Sequence, residues 1–281
     1  MTGVKMWLNN KDKILDLNTP KVMGILNVTP DSFSDGGLFL DQDKALKQAE
    51  AMIAAGASII DIGGESTRPG ADDVALNNEL ERVIPVIEKI NRNLDCWISI
   101  DTSKAVVMKE AVNAGADIIN DIRALTEAGA LEAAVNANVP VCLMHMKGVP
   151  RSMQTAPDYE NVITEVEQFL LDRVKACVDA GINKANIILD LGFGFGKKLD
   201  HNYELLAATQ HFTQLGFPVL TGVSRKSMFG ALLNRETDQR LAGSLAGALI
   251  AAQQGSQIIR VHDVPETVDV LKVLEKINSL S

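Results

Sequence analysis

Eight short apolar runs punctuate the chain: Val22–Asn27, Ser58–Asp61, Trp97–Asp101, Ile118–Asp121, Val141–His145, Ile187–Asp190, Val219–Ser224 and Ile258–His262. Each ends in, or runs straight into, an amide, carboxylate, hydroxyl or imidazole. A buried strand has no packing reason to finish on such a group. The endings recur roughly 20–45 residues apart. The sequence between them is helical in pattern: Asp43–Ala55, Asn77–Asn91, Lys104–Ala114, Gly129–Asn138, Tyr159–Ala180, Tyr203–Gln210, Arg240–Gln253 and Glu266–Asn278. Eight strand–helix units predict an α/β fold, an eightfold (β/α)8 TIM barrel whose C-terminal strand ends share one mouth. Glycines at 56, 115, 181 and 255 stand where left-handed helix caps are expected. Before the first barrel strand, Lys5–Leu8 and Ile14–Leu17 flank Asn9-Asn10-Lys11-Asp12, the pattern of a short N-terminal β-hairpin that plugs the barrel floor. The units fill the 281 residues, so residues 1–281 are read as a single barrel domain.

Two connections are longer than βα loops usually are. Val28 to Asp41 and Gly63 to Asn77 follow strands 1 and 2, are rich in Gly, Pro, Ser and Asp, and fall on the catalytic face. Asp263-Val-Pro-Glu266 has the form of a capping box, which makes Asp263 a helix cap rather than a catalyst. The small-residue helix Leu241–Gln253 must pack closely against something, with the barrel as the default partner.

Net charge changes the picture of partners. At −9, with 4% aromatic residues, the chain lacks the positive field and stacking surfaces that nucleic acid demands, so no nucleic-acid partner is expected. No stretch reaches the roughly 20 apolar residues of a membrane span, and no apolar leader is evident near the N-terminus, so a soluble cytoplasmic protein without a membrane partner is expected. The three cysteines, at 96, 142 and 177, share no paired spacing and read as small core residues in a reducing compartment.

The segment Asp61-Ile-Gly-Gly-Glu-Ser-Thr-Arg-Pro-Gly70, with Met23-Gly-Ile-Leu-Asn-Val-Thr-Pro-Asp-Ser-Phe-Ser-Asp-Gly-Gly37, strongly resembles the dihydropteroate synthase family. The likeness continues through Ile100-Asp-Thr102, Ile119-Asn-Asp121, Leu143-Met-His145, Gly192-Phe-Gly-Phe-Gly196, Gly222-Val-Ser-Arg-Lys-Ser227 and Ile259-Arg-Val-His262, in order over essentially the whole chain. It implies a transferase that joins 6-hydroxymethyl-7,8-dihydropterin diphosphate to 4-aminobenzoate, releasing diphosphate and giving 7,8-dihydropteroate for folate biosynthesis. The family also implies a homodimer and a sulfonamide target.

Three physical demands follow. A flat pterin edge alternates donors and acceptors, which carboxylates, amides and an ammonium can match. By the resemblance, Asp190 and Asn120 hold the aminopyrimidinone, Asp101 lies on the pyrazine side and Lys226 donates to ring acceptors; as Asp101 precedes Thr102-Ser103-Lys104, capping the next helix is its alternative role. The diphosphate needs cations in an acidic chain, and Arg68, Arg260 and His262 lie beyond strands 2 and 8. Asn27 is placed to ligate Mg²⁺, which tolerates sparse protein ligation. The aminobenzoate needs a sheltered pocket, assigned by analogy to Thr67, Pro69, Phe33, Phe195, Lys226 and Ser227, although Phe33 also reads as a loop anchor. Asp35 on the first loop is assigned to orient the amine or receive its proton. The chain departs from the family in carrying Leu191 where proline is usual.

The glycines of Gly192-Phe-Gly-Phe-Gly196-Lys197 fit neither dinucleotide nor Walker spacing and suit close approach of a planar ligand instead. No Ser–His–Asp or Cys–His pattern calls for covalent catalysis, so a dissociative, SN1-like transfer assisted by electrostatics and alignment is expected, with aminobenzoate binding second. Two rival chemistries use a similar barrel. A corrinoid-linked pterin methyltransferase would have little use for Arg260-Val-His262, and a Schiff-base aldolase wants lysine near Asp190. A ligand-binding barrel without turnover is a third alternative.

Overall fold

The computed structural model describes residues 6–29, 38–65, 74–148 and 157–280. An antiparallel hairpin, β1 (Trp7–Asn10) and β2 (Lys13–Asp16), precedes eight parallel strands: β3 (Lys21–Asn27), β4 (Ile59–Gly63), β5 (Trp97–Asp101), β6 (Ile118–Asp121), β7 (Val141–Met144), β8 (Ile187–Asp190), β9 (Val219–Thr221) and β10 (Ile258–Val261). They close in sequence order, β10 pairing with both β3 and β9, as the eightfold pattern predicts. The helices are α1 (Leu38–Ala54), α2 (Leu76–Asn93), α3 (Ala105–Ala114), α4 (Ala130–Ala137), α5 (Val162–Asp179), α6 (Leu199–Ala207), α7 (Thr209–Thr213), α8 (Ser227–Leu233), α9 (Leu241–Gln253) and α10 (Val264–Asn278).

Alternation along each strand divides two kinds of core. Ile98 and Ile100 of β5 turn outward into the helix-facing cluster, as do Ile60 and Ile62 of β4. The inward set begins with one floor residue per strand: Met23, Ile59, Trp97, Ile118, Cys142, Ile188, Leu220 and Ile258. Leu8, Leu15 and Leu17 close this layer from below, so the hairpin plugs the floor. Its turn is tighter than the sequence pattern suggests: Asn9 and Asn10 remain in the strand, and only Lys11, at φ 51, and Asp12 make the bend. Polar contacts pin it sideways. Buried Asp117 accepts from Asn10 Nδ2 at 2.8 Å, from Lys13 Nζ at 2.8 Å and from the Ile98 backbone at 3.0 Å.

The expected helices are present with shifted ends. The Tyr203–Gln210 segment begins earlier, at Leu199, and breaks at Ala208 into α6 and α7. Helix α8 escapes the periodicity reading because seven residues containing a glycine show no stripe. Glycines 56, 115, 181 and 255 all take positive φ, between 92° and 119°, at helix ends. The small-residue face of α9 is explained by an aromatic ring. A Cβ on Gly243 or Gly247 would come within 2.9 or 2.7 Å of Phe229 on α8, so the glycines make room for it.

Asp263 corrects the capping-box expectation. It holds the N-cap position of α10, but its side chain makes no capping bond. Arg225 takes both carboxylate oxygens instead, Nε donating to Oδ2 at 3.1 Å. A proline in the first turn of α10 lacks an N–H, which leaves less for a cap to satisfy. The cysteines are free and buried, as core residues.

Leu8→Ala should lower the unfolding free energy by about 2–5 kcal/mol, the usual cost of truncating a fully buried leucine. Urea denaturation measures it; a loss under about 1 kcal/mol would mean the hairpin is not a stabilising floor.

Candidate functional site at the barrel mouth

Above the apolar floor the inward positions become polar. Asp61, one step into the barrel on β4, is wholly buried. Asp101, Asn120 and Asp190 end or nearly end β5, β6 and β8, and the sheet register sets Asp101 opposite Asn120 and Asp190 opposite Met144. From β10, Arg260 reaches across the lumen. Its Nε donates to Asp61 Oδ2 at 2.6 Å and an Nη to Asp101 Oδ2 at 2.8 Å. The Asn120 amide lies 3.4 Å from both Asp61 oxygens, the outer limit of a hydrogen bond. Asp101, Asn120 and Arg260 therefore meet in one cluster.

Asp190 and Lys226 stand on the adjoining wall. The Gly192 N–H donates to Asp190 Oδ1 at 2.8 Å. Lys226 Nζ rests 4.2 Å from the centroid of Phe195, a cation–π contact. A Cβ on Gly194 would sit 3.3 Å from Lys226 Cδ, so this position stays small to admit the lysine stem. Phe195 clusters with Met144, Ile122 and Met146, forming an apolar wall beside the polar group.

Burial governs the electrostatics. It pushes Asp101 up to about 7, with Arg260 pulling the carboxyl back and Asp61 adding to the rise. Asp190 is also raised by burial, against the Gly192 N–H and the nearby cations Lys226 and Arg260. Lys226 is pulled down to about 8, first by burial and then by Arg260, while Asp190 and Asp101 oppose the shift. Carboxyls raised by burial beside a softened ammonium suit a ligand that hydrogen-bonds and then acquires charge.

Not every polar strand ending faces the mouth. His145 is buried against Phe169, ring centroids 5.0 Å apart, with Nδ1 3.0 Å from Lys197 Nζ. Met144 takes the inward position on β7 instead. Asp121 also turns away, accepting the backbone N–H groups of Arg123 and Leu125 at 2.8 Å each and the Ser103 hydroxyl. Ser224 Oγ and His262 Nδ1 lie 3.1 Å apart beyond β9 and β10. Ser227 is exposed at the start of α8, directly after Lys226.

Asn27 ends β3, and its Oδ1 lies 3.8 Å from where a Gly63 Cβ would stand; Asp101 Oδ2 lies 3.9 Å from the same point. The Asn27 amide oxygen is thus a hard donor at the rim, of the kind that suits a hard cation, while Asp101 Oδ2 is engaged by Arg260. Among the described residues no group of three or more His, Cys, Asp and Glu gathers as a metal site. Phe33, Asp35, Thr67, Arg68 and Pro69 lie outside the described residues. Lys104 bridges Glu65 and buried Glu79, and the Thr102 hydroxyl donates to Glu79 at 2.6 Å, tying the segment just after β4 and the start of α2 to the strand that carries Asp101.

The sequence reading passed over Asp61, Met144 and Lys197 as site residues. Alternation along β4 and β7 was the available signal for the first two. Nothing in the sequence marks Lys197 as buried.

The pterin binding enzyme family matches residues 23–262. The dihydropteroate synthase of Haemophilus influenzae is 59% identical over 270 residues, covering 96% of this chain and 98% of its own. That of Escherichia coli K12 is 57% identical over 261 residues, covering 93% of each. A crystal structure of the Yersinia pestis dihydropteroate synthase with a sulfonamide drug shares 54% identity at a TM-score of 0.93, over 98% of this chain and 100% of that one. On this combination of whole-length identity, barrel and clustered strand ends, the chain belongs to the pterin binding enzyme family, among its dihydropteroate synthases.

Proposed function

We propose that the mouth binds 6-hydroxymethyl-7,8-dihydropterin diphosphate and 4-aminobenzoate and that this transferase couples them to 7,8-dihydropteroate and diphosphate. The observation that carries the reading is the convergence of Asp101, Asn120, Asp190 and Lys226, from four separate strand ends, beside the Phe195–Met144 wall. Asp190 and Asn120 bind the aminopyrimidinone edge, Asp101 faces the pyrazine side, and Lys226 donates to ring acceptors. Phe195 and Ser227, with Phe33, Thr67 and Pro69, shelter the aminobenzoate.

The transfer is dissociative. The methylene C–O bond breaks, its electron pair leaves with the diphosphate, and the electron-rich ring carries the resulting positive charge. The aryl amine then supplies its lone pair to that carbon and sheds a proton, the step to which Asp35 is assigned. Asp190 and Asp101 stabilise the cation, and as positive charge develops beside them their ionised forms are favoured. Arg260 spends two of its five N–H donors on Asp61 and Asp101 and keeps the rest for diphosphate, with Arg68 and His262. When bound, Mg²⁺ withdraws charge from the leaving diphosphate. The Asn27 amide oxygen would hold it, alongside diphosphate oxygens and water.

The free buried cysteines suit a reducing cytoplasm. Among the described residues no helix is long and apolar enough to cross a membrane. Exposed Leu232, Leu233, Leu241, Ile250 and Val273, on consecutive helices α8 to α10, support a homodimer through that side.

Mixing pterin diphosphate, aminobenzoate and Mg²⁺ with the chain should yield dihydropteroate and diphosphate by chromatography; no product would remove the proposal. Lys226→Ala should cut kcat/KM roughly 100-fold, as loss of one charge-stabilising donor does. The pH profile of kcat/KM should rise as Asp101 ionises near about 7 and fall as Lys226 loses its proton near about 8. A flat profile through that window would show that these two groups do not set the active protonation state.

A further inference from the structure

Lys197 is a lysine with almost no access to water, 3% exposed, and it takes no part in the reaction described above. Among the described residues no carboxylate forms an ion pair with it. Its ammonium is surrounded by carbonyls instead: Gly192 O at 2.8 Å, Phe195 O at 3.1 Å and His145 O at 3.3 Å, with His145 Nδ1 at 3.0 Å. Such a cage is costly to build, since burial pulls the ammonium down to about 7 while only nearby Asp190 favours its charge. Burial and the adjacent Lys197 charge likewise hold the His145 imidazole far below its usual range, so it stays neutral and its Nδ1 accepts.

The groups this ammonium gathers belong to two segments, His145 on one and residues 192–196 on the other. Residues 192–196 follow Asp190 after Leu191 and deliver Phe195 to the wall of the mouth. This second segment lies backbone against backbone on residues 145–147: a Cβ on Gly192 would fall 1.9 Å from His145 O, and one on Gly196 would fall 2.2 Å from Lys147 O. Its other polar groups are also held from outside, Gly194 N–H donating to Asn202 Oδ1 at 2.7 Å and Tyr159 Oη donating to Gly196 O at 2.8 Å. The inner end is tied to the site itself through the Gly192 N–H on Asp190 Oδ1. The Gly192 carbonyl also accepts from the Phe195 N–H at 3.1 Å, and Lys197 adds the donors that join it to the Phe195 and His145 carbonyls. Without those donors the two segments would lose their shared tie, and Gly192 would hold its N–H on Asp190 less firmly.

We propose that Lys197 is a positioning residue that fixes the 192–196 segment as a platform for the flat pterin ring, acting through Gly192 on Asp190 and through Phe195 on Lys226. This inference rests on the pterin-binding reading of the mouth. It concerns the ring end of the ligand, because Arg260 and His262, assigned to the diphosphate, come from β10 and the residue after it rather than from the 145–147 and 192–196 segments.

Lys197→Met keeps the side-chain length and removes the donors. Binding of 6-hydroxymethylpterin and of inorganic diphosphate with Mg²⁺ to the full chain is measured separately by calorimetry, below the melting transition of the variant. Pterin affinity should fall about tenfold or more while diphosphate affinity changes by less than about twofold, the size of effect that removing an orienting outer-shell partner commonly has. Should the methionine variant fail to fold, Tyr159→Phe frees only the Gly196 carbonyl and should weaken pterin binding severalfold with the same selectivity. A folded variant that binds pterin like the wild type, or loses both ligands equally, overturns the positioning role. Wild-type chain that fails to bind the pterin would instead count against the functional reading.

Discussion

Arg260 spans the lumen of the barrel between Asp61 and Asp101, and much of the mouth is arranged around that bridge. Two carboxylates enclosed by strands would repel one another; a guanidinium between them holds both in place. The arrangement requires a long, planar, permanently charged side chain from the opposite wall, which lysine would not reproduce with two directed bonds.

The barrel works as a stack of layers with separate duties. Its lowest inward layer is apolar and covered by Leu8, Leu15 and Leu17. The next carries the buried ionic bridge, and the rim carries the amides, the acids and the lysine that can touch a ligand. Stability and chemistry are thereby separated along one axis, as is general for this architecture. The polar tie from the hairpin to Asp117 and the cage around Lys197 solve the same problem at opposite ends, enclosing groups that need a counterpart by supplying one from a distant part of the chain.

Much of this was legible in the sequence because strand periodicity and strand endings are local. Eight runs, four glycine caps and a floor hairpin follow from residues adjacent in the chain. Asn120, Asp190 and Lys226 stand in motifs whose chemistry shows in their letters. What periodicity could not supply is which of two neighbouring residues faces inward at a strand end: His145 was the chemically conspicuous letter, yet Met144 takes the wall. Asp263 illustrates the same gap, as its local pattern fits a cap while Arg225, 38 residues away, claims its carboxylate. Lys197 was opaque for a related reason, since a lysine is ordinarily solvated and only the folding of two backbone segments against each other encloses it.

The hairpin that seals the base makes the lumen a blind well. Reactants and products share one doorway, and whatever lies deepest must wait for what lies above it. Under the proposed pterin site, a ligand held low in the well by Asp190 and Asn120 would enter first and leave last, making traffic through the mouth a stack rather than a tunnel, with congestion at the rim throttling release from the bottom.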